Sequence, residues 1–97
     1  MRINVLKKTR NELRIEVEGE GHTFCNALQK ALLEDRSVEF AGYELPHPLV
    51  AQPIVYVRVK EGGNPEKVLI KAAKKLGLES AEFRETFEKA WKSGVKA

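Results

Sequence analysis

His22-Thr23-Phe24-Cys25-Asn26-Ala27-Leu28-Gln29-Lys30-Ala31-Leu32-Leu33, then Val38-Glu39-Phe40-Ala41-Gly42-Tyr43, then Pro46-His47-Pro48-Leu49 is the stretch that decides the fold. Phe24, Ala27, Leu28, Ala31 and Leu32 recur at i, i+3, i+4, i+7 and i+8, one apolar stripe of an α-helix. His22 or Thr23 is placed to cap that helix. Cys25 widens the stripe and Leu33 lies off it, so the helix is apolar on more than one side. Ser37 to Tyr43 follows as a strand. Pro46, Pro48 and Pro53 then exclude a central strand, because proline has no amide to donate, and they stiffen the connection. The turn Pro46-His47-Pro48 is read as structural, holding the flanking strands at a fixed angle.

Upstream, Ile3, Val5 and Leu6 start one strand. Leu13, Ile15 and Val17 alternate with Arg14, Glu16 and Glu18 in a second, the period of a strand with one face on a core. The polar turn Lys7 to Asn11 joins them as a hairpin. Gly19-Glu20-Gly21 ends the second strand. Downstream, Ile54 to Val59 is a β-branched strand, apolar on both faces over most of its length. Asn64 caps a helix with Pro65 at its first position.

From Val68 the helical spacing runs through Leu69, Ala72, Ala73, Leu76, Ser80, Phe83, Phe87, Ala90 and Trp91. One helix of about 29 residues, roughly 43 Å long, is expected, because the stripe keeps phase across Gly77. The alternative is two helices, with Gly77 ending the first and Ser80 capping the second. The order is ββαββα: an α+β single domain over residues 1–97, with a four-stranded sheet, a short helix and a long C-terminal helix. That long helix overhangs so small a sheet. Its far end, with Phe83, Phe87 and Trp91, is expected to need a partner.

The whole chain supports this. Ninety-seven residues leave no room for a second core. With 42% apolar and 32% charged residues the chain is globular. The net charge of +3 is mild and mixed along the chain, unlike the one-sided basic stripe of a nucleic-acid binder. A single cysteine allows no intrachain disulfide and suits a reducing compartment. The N-terminus has no apolar signal core, and no run is long enough to span a membrane. A soluble, cytoplasmic protein is expected.

The chemical candidates are weak. His22, Cys25 and His47 lack the fourth ligand and paired cysteines of a structural zinc site. Cys25 reads as a small buried hydrophobe rather than a nucleophile. The glycine pairs are too short for a phosphate loop. No catalytic, metal or cofactor site is expected. Tyr43, Tyr56 or Trp91 could stack bases in a stand-alone nucleic-acid-binding module, and a hydrolase built on Cys25 and His47 is a weaker rival.

Two segments go further. Gly19 to Leu33, and Val38-Glu39-Phe40-Ala41-Gly42-Tyr43-Glu44-Leu45-Pro46-His47-Pro48-Leu49, in this order and at this separation, resemble the signature of the small α-like subunits of multisubunit RNA polymerases, in their compact archaeal form. The resemblance covers nearly the whole chain. It implies an α-subunit dimerisation-domain fold and no active site. It implies a heterodimer with the larger, D-type α-like subunit, joined by the N and P subunits, as the platform for the large catalytic subunits in transcription. Phe24, Leu28 and Leu32 of the first helix, and Phe83, Phe87 and Trp91 of the last, are then expected to form the partner interface.

Overall fold

The structure is a computed structural model and describes residues 2–44, 52–77 and 81–95. Its elements are β1 (Arg2–Lys8), β2 (Glu12–Glu18), α1 (His22–Leu33), β3 (Val38–Glu44), β4 (Ile54–Val59), α2 (Pro65–Lys75) and α3 (Ala81–Ser93). The strands form one antiparallel sheet in the order β1-β2-β4-β3. The hairpin and the two later strands fall where alternation and β-branching place them.

One face of the sheet carries the core. Ile3, Val5, Leu13, Ile15, Val17, Val55, Val57 and Val59 all point to it and are buried. On β3 the buried residues are Val38 and Ala41, an odd spacing that strict alternation forbids. A register shift between Val38 and Phe40 resolves it, since the extra residue of a bulge returns the strand to phase. Helices α1 and α2 pack together over β2, β3 and β4, and α3 lies against β1.

The opposite face is open. Asn4 donates to Glu16 and Glu18, both at 2.8 Å, and Arg14 lies 5.5 Å over the Tyr56 ring. Phe40 is 55% exposed and leans over Gly42, where an added Cβ would meet its ring at 3.5 Å. An aromatic side chain covering a strand glycine stabilises the strand by local packing.

Helix starts follow their chemistry unevenly. Asn64 Oδ1 accepts the Lys67 amide at 3.1 Å, and Pro65 stands at the first helical position. The expected cap of α1 by His22 or Thr23 is absent: the helix begins at His22, with extended Gly21 at the cap position and no side-chain bond. His22 instead holds Tyr43 of β3, with Nδ1 2.8 Å from the hydroxyl.

The C-terminal helix is the main correction. It is two helices, not one. Gly77 has φ +75°, the left-handed conformation that ends a helix and that glycine adopts without a Cβ penalty. The Gly77 amide donates to Lys74 O at 3.0 Å and the Leu76 amide to Ala72 O at 3.2 Å, closing α2. Phase continuity favoured a single helix, but burying Phe83 and Phe87 on the chain's own sheet wins in the free molecule. Ser80, the alternative cap of the second helix, lies outside the described residues, as does the expected structural turn Pro46-His47-Pro48.

Candidate interface

The residues expected at a partner interface fall into two groups. Leu28 and Leu32 are fully buried in α1, and Phe83 and Phe87 are fully buried in α3. Phe24 and Trp91 are half-buried at the edge of the same core. The expected overhang of Phe83, Phe87 and Trp91 is therefore absent from the free chain: α3 lies on β1 and these rings pack on the chain's own core. Phe87 lies 6.4 Å from Phe83 and 5.8 Å from Trp91, and Phe83 lies 6.4 Å from Phe24. One aromatic row thus joins the start of α1 to the end of α3.

The stripe of α1 is also rotated from its expected centre. Cys25, Leu28, Ala31 and Leu32 are its buried members, while Ala27 is only partly covered. Leu33, which periodicity left off the stripe, is 49% exposed. It is the large apolar side chain that α1 turns to solvent, and its position off the stripe was the signal for it.

The end of α3 is fastened by Lys8 of β1. Its Nζ donates to Trp91 O at 3.1 Å and sits 4.6 Å from the Trp91 ring centroid. A cation at the carbonyl end of a helix and over an indole face is favoured twice. Sequence reading missed Lys8, because a hairpin lysine carries no hint of a contact far along the chain.

The chemical candidates separate rather than converge. Cys25 is buried, and desolvation, with a smaller contribution from Glu20, pushes its thiol up to about 11. That is the reverse of an activated nucleophile. His47 lies outside the described residues. Among the described residues no three His, Cys, Asp or Glu side chains gather as a metal site.

The base-stacking candidates do not share a platform. Tyr43 pairs in register with Val55 on the helix-covered face and bonds to His22. Tyr56 is on the open face beside Phe40, 5.7 Å between centroids. Trp91 packs on Phe87 under Lys8. The open face around Tyr56 also carries Glu12, Glu16 and Glu39, a mixed field that does not favour a phosphate backbone.

Comparison with known proteins agrees with this site made of packing rather than chemistry. Residues 12–86 match the family described as the RNA polymerase Rpb3/Rpb11 dimerisation domain. The chain is 40% identical over 93 residues to DNA-directed RNA polymerase subunit Rpo11 of Methanocella arvoryzae, covering 96% of this chain and 100% of that one. It is 41% identical over 95 residues to subunit Rpo11 of Pyrococcus furiosus, again covering 96% and 100%. The crystal structure of DNA-directed RNA polymerase subunit L from Thermoplasma acidophilum superposes with a TM-score of 0.69 at 28% identity, over 98% of this chain and 96% of that one. A match that spans sheet and helices alike places this chain in the RNA polymerase Rpb3/Rpb11 dimerisation family, beside the archaeal L and Rpo11 subunits.

Proposed function

We propose that this chain is a non-catalytic assembly subunit of a DNA-directed RNA polymerase. It heterodimerises with the larger, D-type α-like subunit. With the N and P subunits, that heterodimer forms the platform on which the large catalytic subunits assemble in the cytoplasm. The observation that carries the reading is the match of residues 12–86 to a dimerisation domain. The chemistry supports it. The most reactive-looking side chain, Cys25, is buried and held protonated, and the buried apolar residues are shared between the sheet and the three helices. An obligate interface built on such helices buries on the order of 2,000 Å² or more.

Co-expression with a D-type subunit tests it. The expected result is a one-to-one complex by light scattering. A monodisperse monomer that ignores the D-type subunit at micromolar concentration overturns the proposal. RNA retained at moderate salt in place of a protein partner would favour the nucleic-acid-binding alternative.

A further inference from the structure

The open face of the sheet is built in rows. Arg14, Tyr56 and Gly42 stand side by side across β2, β4 and β3, and Glu16, Ile54 and Glu44 form the next row. Glu12, Arg58 and Phe40 flank the first row on its other side. Among them is a hollow of about 290 Å³, lined by Arg14, Phe40, Gly42, Glu44, Ile54 and Tyr56. Its walls are apolar and aromatic, and its rim is charged.

Two features of the hollow do nothing for the free chain. The first is Gly42. The glycines with positive φ are Gly19, Gly62, Gly77 and Gly94, so no left-handed turn requires a glycine at position 42. An added Cβ would meet only the Phe40 ring, at 3.5 Å, an ordinary contact. Glycine weakens a strand relative to alanine. In return it leaves the floor of the hollow bare, so that an incoming side chain can approach the backbone closely.

The second feature is Arg14. Other cations of this face are matched: Arg2 lies 3.6 Å from Glu18, Lys7 2.9 Å from Glu12 and Arg58 3.6 Å from Glu39. Arg14 has no carboxylate within ion-pair reach among the described residues. It rests 5.5 Å over the Tyr56 ring, at the edge of the hollow. A guanidinium held on an aromatic face presents a planar fork that matches a carboxylate.

We propose that this hollow seats an extended segment of a large catalytic subunit, a segment with an apolar side chain and, two residues away, a carboxylate. The apolar side chain fills the space over Gly42 between Phe40, Tyr56 and Ile54, and the carboxylate takes the Arg14 fork. Gly42 and Arg14 are two strands apart, about 10 Å, and Arg14 reaches back over Tyr56. Side chains two residues apart on an extended chain share a face and stand about 7 Å apart, which spans that gap. The occupant is not the D-type subunit, because the helices proposed to hold that partner are on the other side of the sheet. It is not a nucleic acid, because Glu12, Glu16 and Glu39 share the face. This rests on the assembly reading above and adds to it the surface and the chemistry of the second contact.

The test uses the platform reconstituted from this chain with the D-type, N and P subunits, titrated with the large catalytic subunits. Arg14→Glu should leave the one-to-one complex with the D-type subunit intact and weaken capture of the large subunits by roughly tenfold or more. Added salt should weaken capture by the parent more steeply than capture by the variant, because the variant lacks the pair that salt screens. Gly42→Ala is the second arm. It should hold or raise the unfolding temperature of the free chain and weaken the same capture by filling the floor of the hollow. A gain in stability with a loss of binding is not the signature of a residue that only supports the fold. Capture unchanged by either variant overturns the proposal and leaves the heterodimer standing. A parent chain that forms no complex with the D-type subunit overturns the heterodimer reading and this one with it. Dimers of the free chain that Arg14→Glu dissolves give the face to a second copy and also overturn the proposal.

Discussion

Helices α2 and α3 are close in length and both amphipathic, yet the fold holds them in different ways. The start of α2 is fixed by the Asn64 cap. Its stripe buries Val68, Leu69, Ala72 and Ala73, small and medium side chains that let it lie close on α1 and the sheet. Lys71 reaches Asp35 at 3.9 Å and Lys75 reaches Glu34 at 2.6 Å, tying it to the end of α1. By contrast, α3 rests on the buried rings of Phe83 and Phe87, on half-buried Trp91 and on Lys8. Anchorage spread over many small contacts resists removal piece by piece. Anchorage concentrated in a few rings is open to release as a unit.

The largest effect is expected in α2. Leu69 is fully buried, and Leu69→Ala should cost about 2–5 kcal/mol of global stability, read from denaturant unfolding. Phe87→Ala removes a larger side chain from an equally buried site, where a rigid core would lose about 3–5 kcal/mol. If α3 releases as a unit, the loss is limited to the free energy that docks it, so Phe87→Ala should destabilise the free chain less than Leu69→Ala. A loss equal to or larger than that of Leu69→Ala would erase the distinction between the helices.

The lone tryptophan offers a direct check, because Trp91 is in α3. Its fluorescence reports docking of that helix, and far-ultraviolet dichroism reports the whole fold. Separable units should give an emission change at lower temperature than the dichroism change. Coincident transitions would show that α3 and the rest melt together.

Smaller effects are expected at the fastenings. Asn64→Ala should cost about 1 kcal/mol through loss of the α2 cap. Lys8→Met should cost about 0.5–1 kcal/mol, with faster amide exchange confined to the last turns of α3.

Much of this architecture is legible in the sequence. Strands show their period directly, and β4 falls on Ile54–Val59 as its β-branched run indicates. Asn64-Pro65 announces a helix start in two residues. The division into α2 and α3 is not legible, because the phase of the stripe fits one helix as well as two. Periodicity records which side chains share a face, not which surface meets that face. Gly77 is the available signal, and its meaning depends on a φ that sequence does not give. Within α1, the stripe marks Leu28 and Leu32 as apolar but does not divide inner from outer faces, whereas Leu33, which lies off the stripe, is exposed.

The last prediction concerns acid, and it separates the two helices by chemistry rather than by size. Asp35 closes the turn from α1 to β3: its Oδ1 accepts the Ser37 amide at 2.8 Å and the Ser37 hydroxyl at 2.7 Å, and Lys71 of α2 lies 3.9 Å from Oδ2. These bonds, the Ser37 hydroxyl first, hold its carboxyl below the ordinary value of 3.8. A depressed carboxylate stabilises the fold above the unfolded value, and that contribution is lost as pH falls through the folded one. Acidification below about pH 4 should therefore loosen the α1–α2 side, with an effect under about 1 kcal/mol for a solvent-facing cluster. Asp35→Asn keeps an acceptor for Ser37 but has no proton to gain, so its stability should fall less steeply on the acid side than that of the parent. The readout is the denaturation midpoint at a series of pH values, followed by dichroism and by Trp91 emission together. If only the dichroism midpoint changes its pH slope in the variant, the carboxylate serves the α2 side alone. An equal change in the Trp91 signal would mean that α3 is tied to that turn, and the two helices would then be one cooperative unit.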